Sequence, residues 1–268
     1  LNAVEEGLIG GLLAIGAAIG AIVGGRMSDR YGRRHNITML AIVFIIGTLG
    51  CTFAPNIWVL YPFRIILGFA VGGASATVPV FLAESAPKRL RGPLVAIDQF
   101  MIVFGQLVAY TMNAWISSHN GGPRVETTTG GMTWDDAQPA LNNGSLLLEN
   151  ITGGNGAAWR WMLVLATIPA ILLWIGIRMM PESSRWYAAN FRYPEAIGAL
   201  KRLRDESMDS VEGEIEQMVE GNRQEAEQEK WTLRQAWNTK WTKKILLICI
   251  TLGCFDQLTG INTAMYYL

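Results

Sequence analysis

Two long apolar runs, residues 8–23 and 37–53, flank a short loop at 24–35 that carries four arginines and one aspartate. At a rise of about 1.5 Å per residue, each run with its flanking residues is long enough to cross a lipid bilayer. Arginines of helical membrane proteins concentrate in the loops on the cytoplasmic side. The chain is therefore predicted to be an all-α integral membrane protein whose first loop lies in the cytoplasm.

The composition supports a membrane protein and argues against several other classes. Charged residues make up 16% of the chain, compared with about 25% in soluble domains. The formal net charge is zero, so nothing indicates nucleic-acid binding. The three cysteines fall in apolar runs without metal-ligand spacing, and no nucleophile–base pair or phosphate-binding loop is recognisable. We therefore expect no metal, no cofactor and no enzymatic activity.

The hydropathy pattern predicts six membrane spans. They lie at residues 8–24, 37–53, 57–82, 94–116, 161–180 and 245–268. Basic residues are concentrated in the first, third and fifth loops, so these loops are predicted to be cytoplasmic and the chain to start outside. The fourth loop, residues 117–156, is rich in Gly, Asn, Thr and Ser. It is predicted to be a flexible outer segment without a core of its own.

The charged stretch after Pro181 is predicted to form short amphipathic helices on the cytoplasmic side. Pro194 can open one helix, because proline is favoured at the first helical position. Ile197, Leu200 and Leu203 would then lie on one face of that helix. A solvated surface domain is the simplest interpretation, and a latch on the inner ends of the spans is an additional one.

Small residues recur at four-residue spacing in two of the spans. The first span contains Gly16, Gly20 and Gly24, and the third contains Gly68 and Gly72. In membranes this spacing lets helix backbones approach closely. We predict close helix packing at these glycines, with sliding of the helices along their smooth faces as a further hypothesis.

Polar residues within the predicted spans are the candidates for function. A charge at the bilayer centre costs about 2.5–3.5 kcal/mol or more, so it usually faces a cavity or a partner. Arg64 lies about 10 Å along the helix from the outer end of the third span, and either a structural or a functional ion pair fits it.

Amide side chains form a second set of candidates. In the fourth span, Gln99 and Gln106 share a face, and Asp98, which immediately precedes Gln99, projects from the neighbouring face. The corresponding polar residues of the sixth span are Asp256, Gln257 and Asn262. Amides both donate and accept, as binding of a polyhydroxylated ligand requires, but they also form hydrogen bonds between membrane helices. The spacing alone does not favour either interpretation.

Several motifs along the chain resemble those of the sugar porter family of the major facilitator superfamily. GRMSDRYGRR at 25–34 resembles the loop signature of the superfamily, which would also fit drug antiporters. More specific are RIILGFAVG at 64–72 with PVFLAESAPKRLRG at 79–92, PESSRW at 181–186 and QLTGIN at 257–262. The fourth span also resembles the fifth helix of bacterial pentose and hexose proton symporters.

The resemblance implies a partial major facilitator fold, with the second to the seventh of twelve membrane helices. Residues 1–180 would form the N-terminal bundle without its first helix, including the polar outer loop at 117–158. Residues 181–243 would form a cytoplasmic linker, and residues 244–268 the first helix of the C-terminal bundle. The chain is expected to be a fragment of a multi-pass protein in the plasma membrane of a bacterium. The complete protein is expected to function as a monomer.

The resemblance also implies roles for individual residues. Four amides would contact sugar hydroxyls: Gln99, Gln106, Gln257 and Asn262. Asp256 stands where the family usually has glutamine, and we hypothesise that this substrate-site residue alters substrate choice or adds a proton site. Arg64 corresponds to the arginine that pairs with a first-helix aspartate in proton symporters. Asp98 is a second candidate for proton coupling.

Charged residues at the inner ends of the spans would form pairs that lock the outward-open state. They are Asp29, Arg33, Arg34, Glu84, Arg91, Glu182 and Arg185. The alternative is that they are solvated surface charges that follow the cytoplasmic bias of basic residues.

The predicted function is transport of a sugar or polyol across the bilayer by alternating access, with a proton as the expected coupling ion. A transporter-like sugar sensor, and a facilitator of inositol or of a non-sugar substrate, remain open.

Overall fold

The computed structural model describes residues 3–87, 89–119, 124–128, 130–144, 146, 150–154, 158–204, 210–227 and 239–258. The long helices of the first half are α1 Ala3–Tyr31, α2 Arg33–Phe53, α3 Ile57–Ser85 and α4 Arg91–His119. The outer segment and the next helices are β1 Arg124–Thr127, β2 Gly130–Thr133, α5 Trp134–Asn142, β3 Ile151–Gly154, α6 Ala158–Leu165 and α7 Thr167–Met179. The remaining helices are α8 Ser184–Ala189, α9 Tyr193–Leu203, α10 Val211–Glu227 and α11 Lys240–Leu258.

The described part of the chain contains five helical stretches that are long and apolar enough to cross a membrane. They are Gly7–Tyr31, Arg33–Phe53, Ile57–Ser85, Arg91–His119 and Trp159–Met179. These stretches confirm the first five predicted spans. The chain divides into two compact units, Leu1–Met218 and Val219–Leu268. In the second unit, α11 covers the first part of the sixth predicted span, and residues 259–268 of that prediction lie outside the described residues.

Helices α1 and α3 pack backbone against backbone at the predicted glycines. A methyl group added at Gly20 would overlap the carbonyl oxygen of Phe69 on α3, and one added at Gly72 would overlap that of Ala17 on α1. The same kind of overlap with backbone atoms of the facing helix occurs at Gly16, Gly24 and Gly68. Any larger residue would force the helices apart, so the predicted close packing is confirmed.

Helix α2 packs against both α3 and α7. Ile37, Phe81 and Ile177 form one buried cluster close to the ends that the sequence predicts to face the cytoplasm. Beside this cluster the buried Asn36 side chain donates to the Thr77 hydroxyl at 2.9 Å. An apolar cluster and a hydrogen bond between helices thus hold α2, α3 and α7 together at their inner ends.

The fifth predicted span is a broken helix. Helix α6 ends at Leu165, Ala166 forms a turn, and α7 starts at Thr167. Pro169 is the cause, because it has no N–H to donate to the Leu165 carbonyl four residues earlier and its ring crowds that carbonyl. Proline is tolerated in the first turn of a helix, so α7 begins just before it.

The prediction that the outer segment has no core is wrong. Strands β2, β1 and β3 form a three-stranded antiparallel sheet in that order, with Val125 of β1 paired to Met132 of β2. Val125, Ala137 of α5 and Leu146 form a small buried cluster. Two or three well-placed apolar residues suffice for such a cluster, and the polar average composition of the segment conceals them.

The helix predicted to begin at Pro194 buries a face that matches the predicted one only at Leu200. Pro194 stands in the first turn of α9, which confirms its predicted position. Ala196, Ala199 and Leu200 are buried, whereas Ile197 is 36% exposed. Ala196 lies three and four positions before Ala199 and Leu200, so the three residues share one face of the helix. The prediction for Ile197 is wrong because two alanines, which allow close contact, define the packed face.

Candidate functional site

The turn between α1 and α2 is built around Gly32. Its φ of 100° and ψ of 152° belong to a region of backbone space that is open essentially to glycine alone. A side chain at this position would also overlap the carboxylate of Glu182. The glycine of the RYGRR sequence therefore permits both the reversal of the chain and the close approach of an acidic residue from after α7.

Glu182 caps the N-terminus of α2. Its two carboxylate oxygens accept hydrogen bonds from the Arg34 backbone N–H at 2.9 and 3.1 Å, and Oε2 accepts a third from the His35 N–H at 3.4 Å. The Ser183 N–H donates to the same carboxylate at 2.9 Å. Glu182 is only 7% exposed. A buried carboxylate is stabilised here by the unpaired N–H groups and the positive end of the helix dipole.

Arg33 joins two carboxylates. Its Nε and Nη2 donate to the Glu84 carboxylate at 3.1 and 3.2 Å, and Nη2 lies 2.9 Å from Asp29 Oδ1. Its Nη1 donates to the Ser28 carbonyl at 3.1 Å. The Arg33 and Glu84 side chains are mostly buried, whereas the Asp29 side chain is 75% exposed. The two-point pair with Glu84 is therefore the stronger contact, because water screens the one with Asp29.

The PESSRW sequence ties this pair to α1. The Ser183 hydroxyl donates to Glu84 Oε2 and also accepts from the Trp186 N–H at 3.3 Å, which caps α8. The Trp186 ring N–H donates to the Asp29 carbonyl at 2.8 Å. Asp29, Arg33, Glu84 and Ser183 are thus linked side chain to side chain at the inner ends of the helices, and Glu182 caps α2 beside them. We call Asp29, Arg33, Glu84, Glu182 and Ser183 the inner charge cluster.

Three other predicted members of the charge pairs behave differently. Arg34 donates to the carbonyls of Ile177 and Arg178 at the end of α7, at 3.2 and 2.8 Å. Arg91 donates to the Ala83 carbonyl at 2.8 Å, and Arg185 is exposed. The charge pairs predicted for Arg34 and Arg91 are corrected accordingly, because the partners described for them are backbone carbonyls at helix ends. The same holds for Glu182, whose described partners are backbone N–H groups.

Arg204 belongs to the same region and was not predicted. Its side chain is 3% exposed and pairs through Nε with Glu214 at 3.1 Å. Nη1 donates to the Ser85 carbonyl at 2.7 Å, and Nη2 to the Ala86 carbonyl at 3.4 Å. The only sequence signal was a cationic residue just after a predicted amphipathic helix.

Arg64 lines a cavity of about 380 Å³ at the predicted outer ends of the helices. Its Nε is buried, and the part of the chain that is described offers it no hydrogen-bond partner. Arg160 and Asn56 also line the cavity, and Arg160 donates to the Ala54 carbonyl at 3.4 Å. The described lining contains no acidic residue. The other candidate for proton coupling, Asp98, is half-buried on α4 and does not line this cavity.

The predicted sugar-binding amides are only partly described. Gln99 is exposed and Gln106 is half-buried, both on α4, a helix that buries none of its residues. Asp256 and Gln257 fall within α11, but their side chains are not among the described parts of the structure. Asn262 lies outside the described residues altogether. No group of three or more His, Cys, Asp or Glu side chains in the described ranges could hold a metal ion.

Comparison with known proteins gives consistent matches over the whole chain. Residues 2–268 match the family described as sugar (and other) transporter. The putative metabolite transport protein YfiG of Bacillus subtilis is 41% identical over 268 residues, 100% of this chain and 48% of that protein. The major myo-inositol transporter IolT of Bacillus subtilis is 39% identical over 267 residues, which cover 100% of this chain and 49% of that protein.

A third relative, the galactose-proton symporter of Escherichia coli, is 34% identical over 255 residues, which cover 95% of this chain and 46% of that protein. The chain thus spans about half the length of the curated relatives it matches. Among solved structures, the proton:xylose symporter XylE bound to 6-bromo-6-deoxy-D-glucose aligns with a TM-score of 0.74 and 26% identity. The alignment covers 98% of this chain and 51% of that one.

Proposed function

Because the chain belongs to the sugar porter family of the major facilitator superfamily, we propose that its protein transports a sugar or polyol across the membrane by alternating access. The chain is part of a multi-pass membrane protein with a partial major facilitator fold. We further propose that the complete protein works as a monomer in a bacterial plasma membrane. Its relatives are membrane transporters, a class distinct from enzymes.

The observation that carries the proposal is the inner charge cluster. It connects the α1–α2 turn, the end of α3 and the start of α8 through ion pairs and hydrogen bonds. When such groups separate, water can hydrate the charges and take the place of the lost hydrogen bonds, which offsets part of the cost of opening. The cluster is therefore suited to a gate that holds the inner ends together in one state and releases them in another.

Arg64 supports proton coupling. Arg64 is half-buried in a membrane-spanning helix, and its Nε is buried without a described partner. A charge at such a depth usually faces a cavity or an ionic partner, which favours an anion beside Arg64. We propose that a carboxylate beyond the described residues supplies it and that protonation of this carboxylate couples transport to the proton gradient. Gradient coupling also fits two relatives described as a galactose-proton symporter and a proton:xylose symporter.

The substrate is proposed from the residues and the relatives together. The names of the relatives mention myo-inositol, glucose and galactose, which are all small polyhydroxylated molecules. We propose that Gln99, Gln106, Gln257 and Asn262 bind their hydroxyls, and that Asp256 modifies the choice among them. Replacing Asp256 with Gln should therefore shift substrate preference or the pH dependence of uptake. Unchanged values for both would remove Asp256 from the proposal.

The deciding experiment measures uptake by the full-length protein in proteoliposomes. A labelled pentose, a hexose and myo-inositol are offered with and without an inward proton gradient. Accumulation of one substrate above its outside concentration, only with the gradient, is the expected result. Simple equilibration would indicate a facilitator and remove the coupling role of Arg64. Binding without uptake would overturn transport in favour of a sugar sensor.

A further inference from the structure

Arg204 holds the inner end of α3 from the cytoplasmic side. It follows the last residue of α9, and its guanidinium contacts two backbone carbonyls, those of Ser85 and Ala86, and the Glu214 carboxylate. The two carbonyls lie 119 and 118 residues earlier in the chain. A nearly fully buried cation whose hydrogen bonds go to three protein acceptors is part of the packed structure and is not a solvated surface charge.

The end of α3 needs a cation of this kind. The last carbonyls of a helix have no partner within the helix and carry its negative dipole. Glu84, in the last turn of α3, adds a full negative charge at the unfavourable end. Arg204 supplies positive charge and two hydrogen bonds to the residues directly after Glu84. Arg33 contacts the Glu84 side chain itself.

We propose that Arg204 is a positioning residue of the inner charge cluster, which fixes the end of α3 so that the Glu84 carboxylate faces Arg33. Glu214 balances the buried charge of Arg204 and brings the start of α10 into the same contact. The conformation of the α9–α10 segment thereby sets the strength of the Arg33–Glu84 pair. This inference rests on the proposed role of the cluster as an inner gate.

The planar guanidinium explains why an arginine stands here. It donates in several fixed directions at once, whereas a lysine ammonium is a compact point charge on a flexible stem. Arg204→Lys keeps the charge but cannot reach both carbonyls and Glu214 in the same geometry. Arg204→Gln removes the charge, and Glu214→Gln removes only the balancing anion. Arg204→Lys should therefore be milder than Arg204→Gln, and Glu214→Gln should also weaken the contact, because it leaves the buried guanidinium without its balancing anion.

The test measures opening of the inner end directly in the full-length protein. Ser28, which is 4% exposed beside Arg33, is replaced with Cys in a background without other reactive cysteines, and inside-out vesicles are treated with a membrane-impermeant maleimide. Arg204→Gln should raise the labelling rate about five- to tenfold, and Arg204→Lys should raise it less. The matched control is Arg202→Gln, since Arg202 is an exposed cation in the last turn of α9, two residues before Arg204, and it should leave labelling unchanged.

Transport kinetics separate positioning from a folding defect. If Arg204→Gln depletes the outward-facing state, the apparent KM for external substrate rises by the inverse of the remaining fraction. A purely structural defect would lower the amount of protein and the maximal rate without changing KM. Labelling and KM equal to those of Arg202→Gln, at equal expression, would overturn the inference. Labelling needs no substrate, so it judges this inference even if no sugar is taken up.

Discussion

The guanidinium of Arg33 and the carboxylate of Glu84 are joined by two hydrogen bonds of 3.1 and 3.2 Å, although 51 residues separate them in the chain. Both side chains are mostly shielded, at 13% and 16% exposure. The neighbouring contact from Arg33 to Asp29 is shorter but sits on a 75% exposed side chain. The shielded pair is therefore the stronger link between the α1–α2 turn and the end of α3.

This ranking predicts unequal effects for two conservative substitutions. Glu84→Gln leaves Arg33 buried without its main anion, which typically costs 3–5 kcal/mol for a fully buried pair and less for this partly shielded one. Asp29→Asn removes an exposed i,i+4 pair worth about 0.3–0.5 kcal/mol. Accessibility of the Ser28→Cys thiol from the inner side should therefore rise strongly for Glu84→Gln and little for Asp29→Asn.

Transport rates provide the second measurement of the same pair of variants. We expect normal membrane insertion for both and a clear loss of uptake only for Glu84→Gln. Full uptake by Glu84→Gln, at the expression level of the unmodified protein, is incompatible with a gating role for the pair. An equally large loss of uptake for Asp29→Asn would mean that the exposure of the partner side chain does not determine which of the two ion pairs is stronger.

The close packing of α1 on α3 predicts intolerance to a single methyl group. Gly20→Ala would place that group against the Phe69 carbonyl, and overpacking of this kind typically costs about 1–3 kcal/mol. The matched control is Gly176→Ala on α7, where an added methyl meets nothing within 4 Å. It should be neutral or stabilise by about 0.5–1 kcal/mol, because alanine loses less entropy than glycine in a helix.

Thermal unfolding in detergent distinguishes the two alanine variants. Gly20→Ala should lower the midpoint and Gly176→Ala should not. Equal midpoints would show that the helices can move apart at no cost, contrary to the packing described here.

Gly32 should tolerate no other residue. Gly32→Ala forces a side chain into a backbone region that costs about 1–3 kcal/mol, and it displaces the Glu182 carboxylate from the start of α2. Asparagine, which often replaces glycine at left-handed positions, should not rescue the variant, because a ψ of 152° lies outside the left-handed helical region. Gly25→Ala, where an added methyl has open space, is the control. Expression and unfolding midpoint are the readouts, and a normal midpoint for Gly32→Ala would contradict the turn geometry.

The start of α9 should respond weakly to acid. The Arg192 guanidinium donates to Glu195 at 3.0 and 2.8 Å and holds the pKa of this carboxyl below its ordinary value of 4.5. A lowered pKa in the folded state means that the contribution to stability is present above the unfolded pKa. That contribution is lost as the pH falls through the lowered pKa of the folded state.

Both side chains of that pair are exposed, so the effect is small. Glu195→Gln should lower the unfolding midpoint slightly at pH 7, and the difference from the unmodified protein should shrink as the pH falls below the ordinary carboxyl pKa of 4.5. A difference that does not shrink with falling pH would exclude the ion pair as its source.

The sequence predicted the parts of this structure that depend on regular patterns. Apolar runs of sufficient length predicted the first five spans, and glycines at four-residue spacing predicted close helix packing, although not that α1 and α3 are each other's partners. The motifs also predicted charge pairs at the inner ends, and Asp29–Arg33 and Arg33–Glu84 are the pairs described there. These features are local in sequence, so periodicity and motif carry the necessary information.

Contacts that depend on backbone groups far away in the chain could not be predicted. Arg204 follows Lys201 and Arg202, and nothing local distinguishes the buried cation from its exposed neighbours. Glu182 was expected to pair with a cation but caps a helix, which requires knowledge of where α2 begins in space. The small core under the outer sheet was missed because average composition hides Val125 and Leu146. The break at Ala166, in contrast, was readable in principle from Pro169.

The glycine contacts between α1 and α3 also determine how these helices can move. At Gly16, Gly20, Gly68 and Gly72, a carbonyl oxygen of the facing helix occupies the space that a β-carbon would need. Backbones that interlock at four positions along two 29-residue helices leave little room for either helix to move alone. We therefore expect α1 and α3 to move as one unit when the inner ends separate.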